Sequence, residues 1–205
     1  MSYVIKEGDG FKQVAGGVYP ARCVRMIGLG TQRGEWAGKP TKKIQVLISF
    51  ELPTELIPDG EFEGQPYMVS KFYTSSLGEK SNLRKHLISW RGRDFTPEEL
   101  QGFDLTNIVG KPCMVSIIHS KNGKANVDNI MALPKGMAVP EQVNKSLIFN
   151  IFQWDQDIFD GLSDGIKGII MKSDEYKHMH GDTGYTVNES NEDSSDVPDD
   201  TQIPF

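Results

Sequence analysis

Cysteine is scarce in this chain: among 205 residues only Cys23 and Cys113 occur, and they lie in different apolar segments. Two cysteines so placed build neither a disulfide framework nor a CxxC metal site. Long apolar runs are also missing, because no window reaches the roughly 18 apolar residues that a membrane-spanning helix needs. The N-terminal MSYVIKEGDG has neither a basic segment followed by an apolar core nor a transit-peptide pattern. The sequence therefore predicts a reduced, cytoplasmic protein that does not enter a membrane.

A converging set of catalytic residues is not visible either. The segment GLGTQRGEWAGKP is glycine-rich, but it has neither the Walker nor the GxGxxG spacing of a phosphate loop. The histidines are scattered and fit no Ser/His/Asp or metal-ligand spacing. We therefore expect no enzymatic activity, no cofactor and no metal site. A nuclease that uses scattered carboxylates and a metal ion is the enzymatic alternative.

Positive charge is absent from the last part of the chain. Residues 1–140 carry 18 lysines and arginines against 14 carboxylates, whereas residues 141–205 carry 4 against 14. From Gly181 onward there are seven acidic residues, no Lys or Arg, and few apolar groups to bury. A segment of that composition does not fold alone. The pattern predicts a mildly basic body, which suits a polyanionic ligand, and a disordered acidic tail over residues 181–205.

Five segments have the alternation or the β-branched and aromatic content of strands: 17–29, 41–52, 65–75, 111–120 and 124–133. Asn-Gly within the sequence KNGK predicts a hairpin with a type I′ turn between the last two strands. The second strand alternates most regularly and is expected to bury one face and to leave the other for solvent or a ligand. The expected buried face carries Ile44, Val46, Ile48, Phe50 and Leu52, and the other carries Lys43, Gln45, Leu47, Ser49 and Glu51.

Helical patterns interrupt and follow the strands. Residues 78–90 place leucines and a tryptophan at helical spacing, and residues 96–103 begin with the Thr-Pro and Glu of a capped helical turn. In residues 145–179 apolar groups recur at helical spacing, but glycines weaken any long helix. We expect one or two short helices there, packed back on the body or on a second copy of the chain, which leaves a homodimer open.

Five short strands with a helix between the third and the fourth follow the element order of an OB-fold. The sequence thus predicts a mainly β protein whose residues 1–140 form a five-stranded OB-fold barrel with a helical insert between strands 3 and 4. Residues 141–180 are predicted to form a small helical C-terminal extension, followed by the disordered acidic tail.

Most clusters of cations and aromatic rings fall where an OB-fold binds its ligand, namely the loop between strands 1 and 2, the face of strands 2 and 3, and the loop between strands 4 and 5. A further cluster, WRGRDF at residues 90–95, follows the predicted helix. Single-stranded nucleic acid is held by this combination, since cations follow the phosphates and bases stack on rings. The rings could instead belong to the core, and lysines beside a turn also favour solubility, so both interpretations stay open. The candidate residues are Arg33, Trp36, Lys39, Lys42, Lys43, Tyr67, Lys71, Tyr73, Trp90, Arg91, Arg93, Lys121 and Lys124.

The tail ends on DVPDDTQIPF, so exposed apolar groups follow an acidic run. This ending resembles the acidic tip of bacterial single-stranded DNA-binding proteins. The segments GVYPARC, SNLRKHL, GKPCMVSI and NIMALPKG resemble phage-encoded OB-fold single-stranded DNA-binding proteins, which implies a place in the host cytoplasm. The resemblance also implies that the last ring and carboxylate dock into basic, apolar pockets of replication and repair proteins. The tip residues are Asp199, Asp200, Ile203, Pro204 and Phe205.

Taken as a sequence, the chain is predicted to be a non-catalytic protein that coats single-stranded DNA in replication, recombination or repair and recruits partners through its C-terminal tip. An OB-fold protein-interaction module and a strand-annealing recombination protein are the alternatives. The former would show no DNA-dependent quenching of tryptophan fluorescence, and the latter would be recognised in an annealing assay. The sequence leaves the choice between DNA and RNA open.

Overall fold

The computed structural model describes residues 12–138 and 141–181. Within these ranges strands predominate and the helices are short, which confirms the mainly β character predicted from the sequence. The elements are β1 Gly17–Trp36, β2 Lys39–Leu56, β3 Pro66–Thr74, α1 Asn82–Arg91, α2 Pro97–Gln101, a 3₁₀ turn Leu105–Ile108, β4 Pro112–His119, β5 Ala125–Met131, β6 Leu147–Phe149, α3 Gln156–Asp160, α4 Asp164–Met171 and α5 Asp174–Met179.

One sheet contains all six of these strands. Five are antiparallel in the order β3-β2-β1-β4-β5, and β6 pairs in parallel with residues 25–27 of β1. The β6 strand was not predicted, because three residues are too few to show an alternation and they adjoin a segment with helical spacing. Residues 145–179 were predicted to form one or two short helices, and the structure has three there, α3, α4 and α5.

The first two strands are much longer than the sequence pattern indicated. They pair from Arg22 opposite Glu51 as far as Trp36 opposite Lys39, so residues 30–40, expected to form the loop between strands 1 and 2, are mostly strand. Only Ala37 and Gly38 turn the chain, and both have positive φ, as a two-residue hairpin turn of type I′ requires. Pairing with β3 ends at Gln45, and none of residues 31–44 is buried. We call this projecting part of the hairpin, residues 31–44, the arm.

The hairpin of β4 and β5 is confirmed, but the type of its turn was predicted wrongly. Gly123 has positive φ, whereas Asn122 does not, so a type I′ turn is not formed. The Ser120 amide donates to the Lys124 carbonyl oxygen at 2.9 Å, and residues 121–123 form a three-residue loop. Asn-Gly serves this loop equally well, because glycine supplies the single left-handed residue that it needs.

The first hydrophobic core lies between the inner face of the sheet and α1. On β2 the alternation holds as predicted for Val46, Ile48, Phe50 and Leu52, whereas Ile44 is exposed because it belongs to the arm. The helix α1 contributes Leu83, Leu87 and Trp90, and the α2 segment begins with the predicted capping box of Thr96 and Glu99. Cys23 and Cys113 are free and buried in this core, and burial raises the pKa of the Cys23 thiol to about 12.

A second hydrophobic core covers the outer face of the sheet. Residues 147–170 of the C-terminal extension pack Phe149, Ile151, Phe159, Leu162 and Ile170 against Ile27, Leu29 and Leu47 of β1 and β2. The prediction that the second face of β2 is left for solvent or ligand is therefore wrong over its middle part. Leu47, Ser49 and Glu51 are all buried beneath the extension.

A buried carboxylate fixes the start of this extension. Glu51 is completely buried, and its Oε1 accepts a hydrogen bond from the Val143 amide at 2.9 Å. Its Oε2 accepts from the backbone amide and the side-chain amide of Asn144, at 2.8 and 2.9 Å. Arg22 lies directly opposite in the β1–β2 register. Since a buried carboxylate is costly unless it is hydrogen-bonded, these contacts hold the extension on the sheet.

Candidate nucleic-acid interface

The arm gathers four of the candidate cations, against a single carboxylate, Glu35. At its tip, Trp36 is 57% exposed and stands opposite Lys39 in the register. The interpretation that placed Trp36 in the core is therefore excluded.

The register separates the arm's cations onto two faces. Directly opposite residues share a face, and the face alternates from one pair to the next. Trp36 and Lys39, Gly34 and Thr41, and Gln32 and Lys43 are opposite pairs that fall on one face. Arg33 and Lys42 form the pair between them, and so lie on the other face. We call the first set the tryptophan face and the second the arginine face.

An acidic turn of α5 meets the arginine face. The Arg33 Nε and Nη2 atoms donate to the two carboxylate oxygens of Asp174 at 2.6 and 2.9 Å, which is a bidentate pair. Lys42 Nζ lies 3.8 Å from the same carboxylate. No local pattern could indicate this partner, because Asp174 is 141 residues away from Arg33.

The neighbouring glutamate attaches α5 to the base of the arm. Glu175 accepts from the Thr31 amide and from the Thr31 hydroxyl, both at 2.6 Å. Gly30 makes this approach possible: its φ is +75°, and a Cβ there would lie 2.6 Å from a Glu175 carboxylate oxygen. Any other residue at this position would push the helix away from the arm.

The cluster around Trp90 has a structural role. The ring is buried against Phe50, and its indole N–H donates to the Pro112 carbonyl oxygen at 2.8 Å, so neither ring face is offered to a base. Arg91 and Arg93 both pair with Glu99, and hydrogen bonds from Arg93 are the main cause that lowers the pKa of Glu99 to about 2. A phosphate at these arginines would have to compete with that carboxylate.

The residues Tyr67, Lys71 and Tyr73 face the inside of the sheet. The register places them opposite Leu52, Ile48 and Val46, all members of the first core. Both tyrosines are buried, and Lys71 Nζ donates to the Val127 carbonyl oxygen of β5 at 2.6 Å. The expectation of a ligand face at these three positions is not supported, because their rings and ammonium group are used inside the protein.

Tyr73 is joined to a partly buried histidine. Its hydroxyl lies 2.8 Å from His86 Nδ1, and the two rings meet edge to face. Burial is the main cause that lowers the pKa of His86 to about 4, and the charge of Lys71 acts in the same direction. The imidazole is therefore neutral at pH 7.

Lys121 and Lys124 are exposed at the β4–β5 turn. The strand β4 pairs with residues 17–22 of β1, which is the opposite end of that strand from the arm. The predicted site residues are thus divided between the arm, the β4–β5 turn and the protein interior. The predicted tip, Asp199, Asp200, Ile203, Pro204 and Phe205, lies outside the described residues.

Two absences concern the part of the chain that the structure describes. No three His, Cys, Asp or Glu side chains come together there as a metal site requires. None of the described helices is both long and apolar enough to cross a membrane. Comparison with known proteins assigns no family, since no family model and no curated protein matches the chain.

Proposed function

We propose that the protein binds single-stranded DNA without catalysis and that the arm is its principal contact. The observation that carries this proposal is the exposed Trp36 at the tip of a cationic hairpin, with Lys39 and Lys43 on the same face. A ring offers a stacking surface to any base, and neighbouring ammonium groups follow the phosphates. Bases within a duplex are already stacked on one another, so this arrangement favours single strands.

We further propose that the sheet closes into an OB-fold barrel. The strands β3 and β5 stand at the two ends of the sheet order, and the hydrogen bond from Lys71 to Val127 joins them. The helix α1 lies between β3 and β4 in the chain, which is the helix position of an OB-fold. In such a barrel the arm is the connection between strands 1 and 2, one of the elements that bind oligonucleotides.

The proposed recruitment of replication, recombination or repair proteins rests on the sequence of the C-terminal tip. Phe205 would supply an apolar anchor for a partner, and the acidic residues would supply long-range attraction. The tip and the arm would serve two different partners, a protein and a nucleic acid.

Titration of a fluorescently labelled oligo(dT) with the full-length protein tests the DNA-binding proposal. Trp36→Ala is expected to weaken binding by about 1 to 3 kcal/mol, or about 5- to 150-fold in Kd. Phe62→Ala is the matched control, because Phe62 is 48% exposed in the acidic β2–β3 turn. Parallel titrations with a duplex and with an RNA of the same length measure the preference of the site.

Two results would overturn the proposal. One is equal affinity for duplex and single strand, and the other is an affinity of Trp36→Ala that matches that of Phe62→Ala in variants with native melting temperatures. Failure to bind any nucleic acid would favour a protein-interaction module. Acceleration of strand pairing between complementary oligonucleotides would favour an annealing protein.

A further inference from the structure

We infer that Arg33 and Lys42 form a second phosphate subsite, on the arginine face, which Asp174 occupies in the free protein and a nucleic acid phosphate takes over on binding. The inference rests on the proposed function, because it supposes that a nucleic acid reaches the arm. Beyond the proposed function, it identifies Asp174 of the C-terminal extension as a group that competes with the nucleic acid. It also predicts that the contacts of Arg33 and Lys42 are exchanged from this carboxylate to a phosphate.

The geometry of Asp174 is that of a phosphate substitute. Two carboxylate oxygens receive the two parallel N–H groups of the Arg33 guanidinium, at 2.6 and 2.9 Å. A phosphodiester also offers two oxygens to the same fork, and it carries the same single charge. The site is open to solvent, since the side chains of Arg33 and Lys42 are 35% and 61% exposed and that of Asp174 is 27% exposed.

The arm itself creates the need for an anion here. Arg33 and Lys42 are directly opposite each other, and like charges in that position destabilise a strand pair. An anion between them removes the repulsion, whether it is a carboxylate or a phosphate. Asp174 therefore allows the cation pair to exist in the free protein, and a phosphate can replace it without leaving the two charges opposed.

The helix α5 has other attachments that survive the loss of Asp174. Glu175 holds the base of the arm through the two hydrogen bonds to Thr31, and the Ser173 hydroxyl caps the helix by accepting from the Tyr176 amide at 3.2 Å. Tyr176 packs against the second core. The Asp174 side chain can therefore turn away from the arm while the helix keeps its place.

Both faces of the arm lie within reach of one strand of nucleic acid. Neighbouring β-strands are about 4.8 Å apart, so a two-stranded arm is thin compared with a few nucleotides. A strand whose base stacks on Trp36 can pass over the edge of the arm and place a neighbouring phosphate at Arg33 and Lys42. The arm would then be contacted on two sides.

Full-length Asp174→Asn tests the inference in the oligo(dT) titration. We expect binding about fivefold tighter than that of the unchanged protein at low salt, the effect of removing one partly exposed ion pair from the competition. We also expect a somewhat steeper dependence of log K on log salt, because in the unchanged protein salt weakens the competing ion pair of Asp174 as well as the contact with DNA. Glu61→Gln, in the β2–β3 turn beyond the far end of β2, removes the same charge and is expected to change neither quantity.

A second pair of variants keeps the test independent of how well Asp174→Asn folds. The double variant Arg33→Gln/Lys42→Gln should bind oligo(dT) more weakly than the unchanged protein. When Asp174→Asn is added to the double variant, it should no longer increase the affinity. Unchanged affinity in both Asp174→Asn and the double glutamine variant would overturn the inference, as would a gain shared by Glu61→Gln. If Trp36→Ala still weakens binding in that case, the proposed function stands while the second subsite fails.

Discussion

Replacement of Glu51 by Gln is the sharpest test of how the extension is held on the sheet. The carboxylate accepts one hydrogen bond at Oε1 and two at Oε2, and its side chain is completely buried. A glutamine keeps one acceptor oxygen, so at best it retains the two bonds from Asn144 and turns its NH₂ group toward the Val143 amide. One charge-assisted hydrogen bond is then lost, and two donors face each other without an acceptor.

The cost can be worked out from these contacts. A hydrogen bond to a charged group contributes about 1.5 to 3 kcal/mol, and a buried donor without an acceptor costs a further 1 to 3 kcal/mol, roughly. We therefore expect a loss of about 2.5 to 6 kcal/mol, which in a domain of this size lowers Tm by about 5 to 24 °C.

Thermal unfolding of full-length Glu51→Gln, followed by circular dichroism, measures this loss, with the exposed Glu61→Gln as the control. Hydrogen exchange adds a local readout, because the amides of residues 143–149 should lose protection before those of β4 and β5. A Tm within about 1 °C of that of the control, where surface substitutions normally fall, would refute the idea that the Glu51 carboxylate holds the extension on the sheet. So would unchanged exchange in residues 143–149.

Two further predictions concern the core and the arm. The pKa of His86 is about 6.5 in the unfolded protein and is lowered to about 4 in the folded protein. Between these two pH values only the unfolded protein binds a proton at His86, so the free energy of unfolding should fall as the pH is lowered from 6.5 to 4. The variant His86→Asn should show a smaller fall in Tm over the same pH range. A proton NMR titration of His86 with a midpoint near 6.5 would contradict this. Ala37 has a φ of 49°, which costs an L-residue about 1 to 2 kcal/mol. Ala37→Asn should therefore stabilise the turn and slow amide hydrogen exchange within the arm, while the exchange of the β4 amides stays the same. Exchange in the arm that is unchanged or faster would mean that the turn is not strained.

The sequence was sufficient where local chemistry decides the structure. Alternation in β2 identified Val46, Ile48, Phe50 and Leu52 as core residues because a strand packs only one set of alternate side chains on one side. The Thr96 and Glu99 pattern located α2 because a capping box is made within four residues. Both features depend on neighbours along the chain.

The sequence failed where a distant segment decides it. Glu51 is buried only because residues 143 and 144, more than ninety positions away, supply its donors. On β3 the two faces are almost equally amphipathic, and two tyrosines with a lysine indicated a surface, although Lys71 and the rings find partners inside. The arm was missed because glycine and lysine interrupt the apolar alternation, while an alanine occupies a left-handed turn position usually held by Asn or Gly.

The pairing of cations with carboxylates limits how strongly charge alone can drive binding. Arg91 and Arg93 form ion pairs with Glu99, and Arg84 forms one with Asp94. Both Arg33 and Lys42 form ion pairs with Asp174. On the tryptophan face Lys39 and Lys43 lie on the same side of the arm as the ring. Two phosphate contacts at these lysines would change log K by only about 1.4 for each decade of salt through counterion release. A base stacked on Trp36 contributes about 1 to 3 kcal/mol whatever the salt concentration. Stacking should therefore carry a growing share of the affinity as the salt concentration rises, which is the behaviour of a protein that recognises unpaired bases rather than the charge density of a duplex.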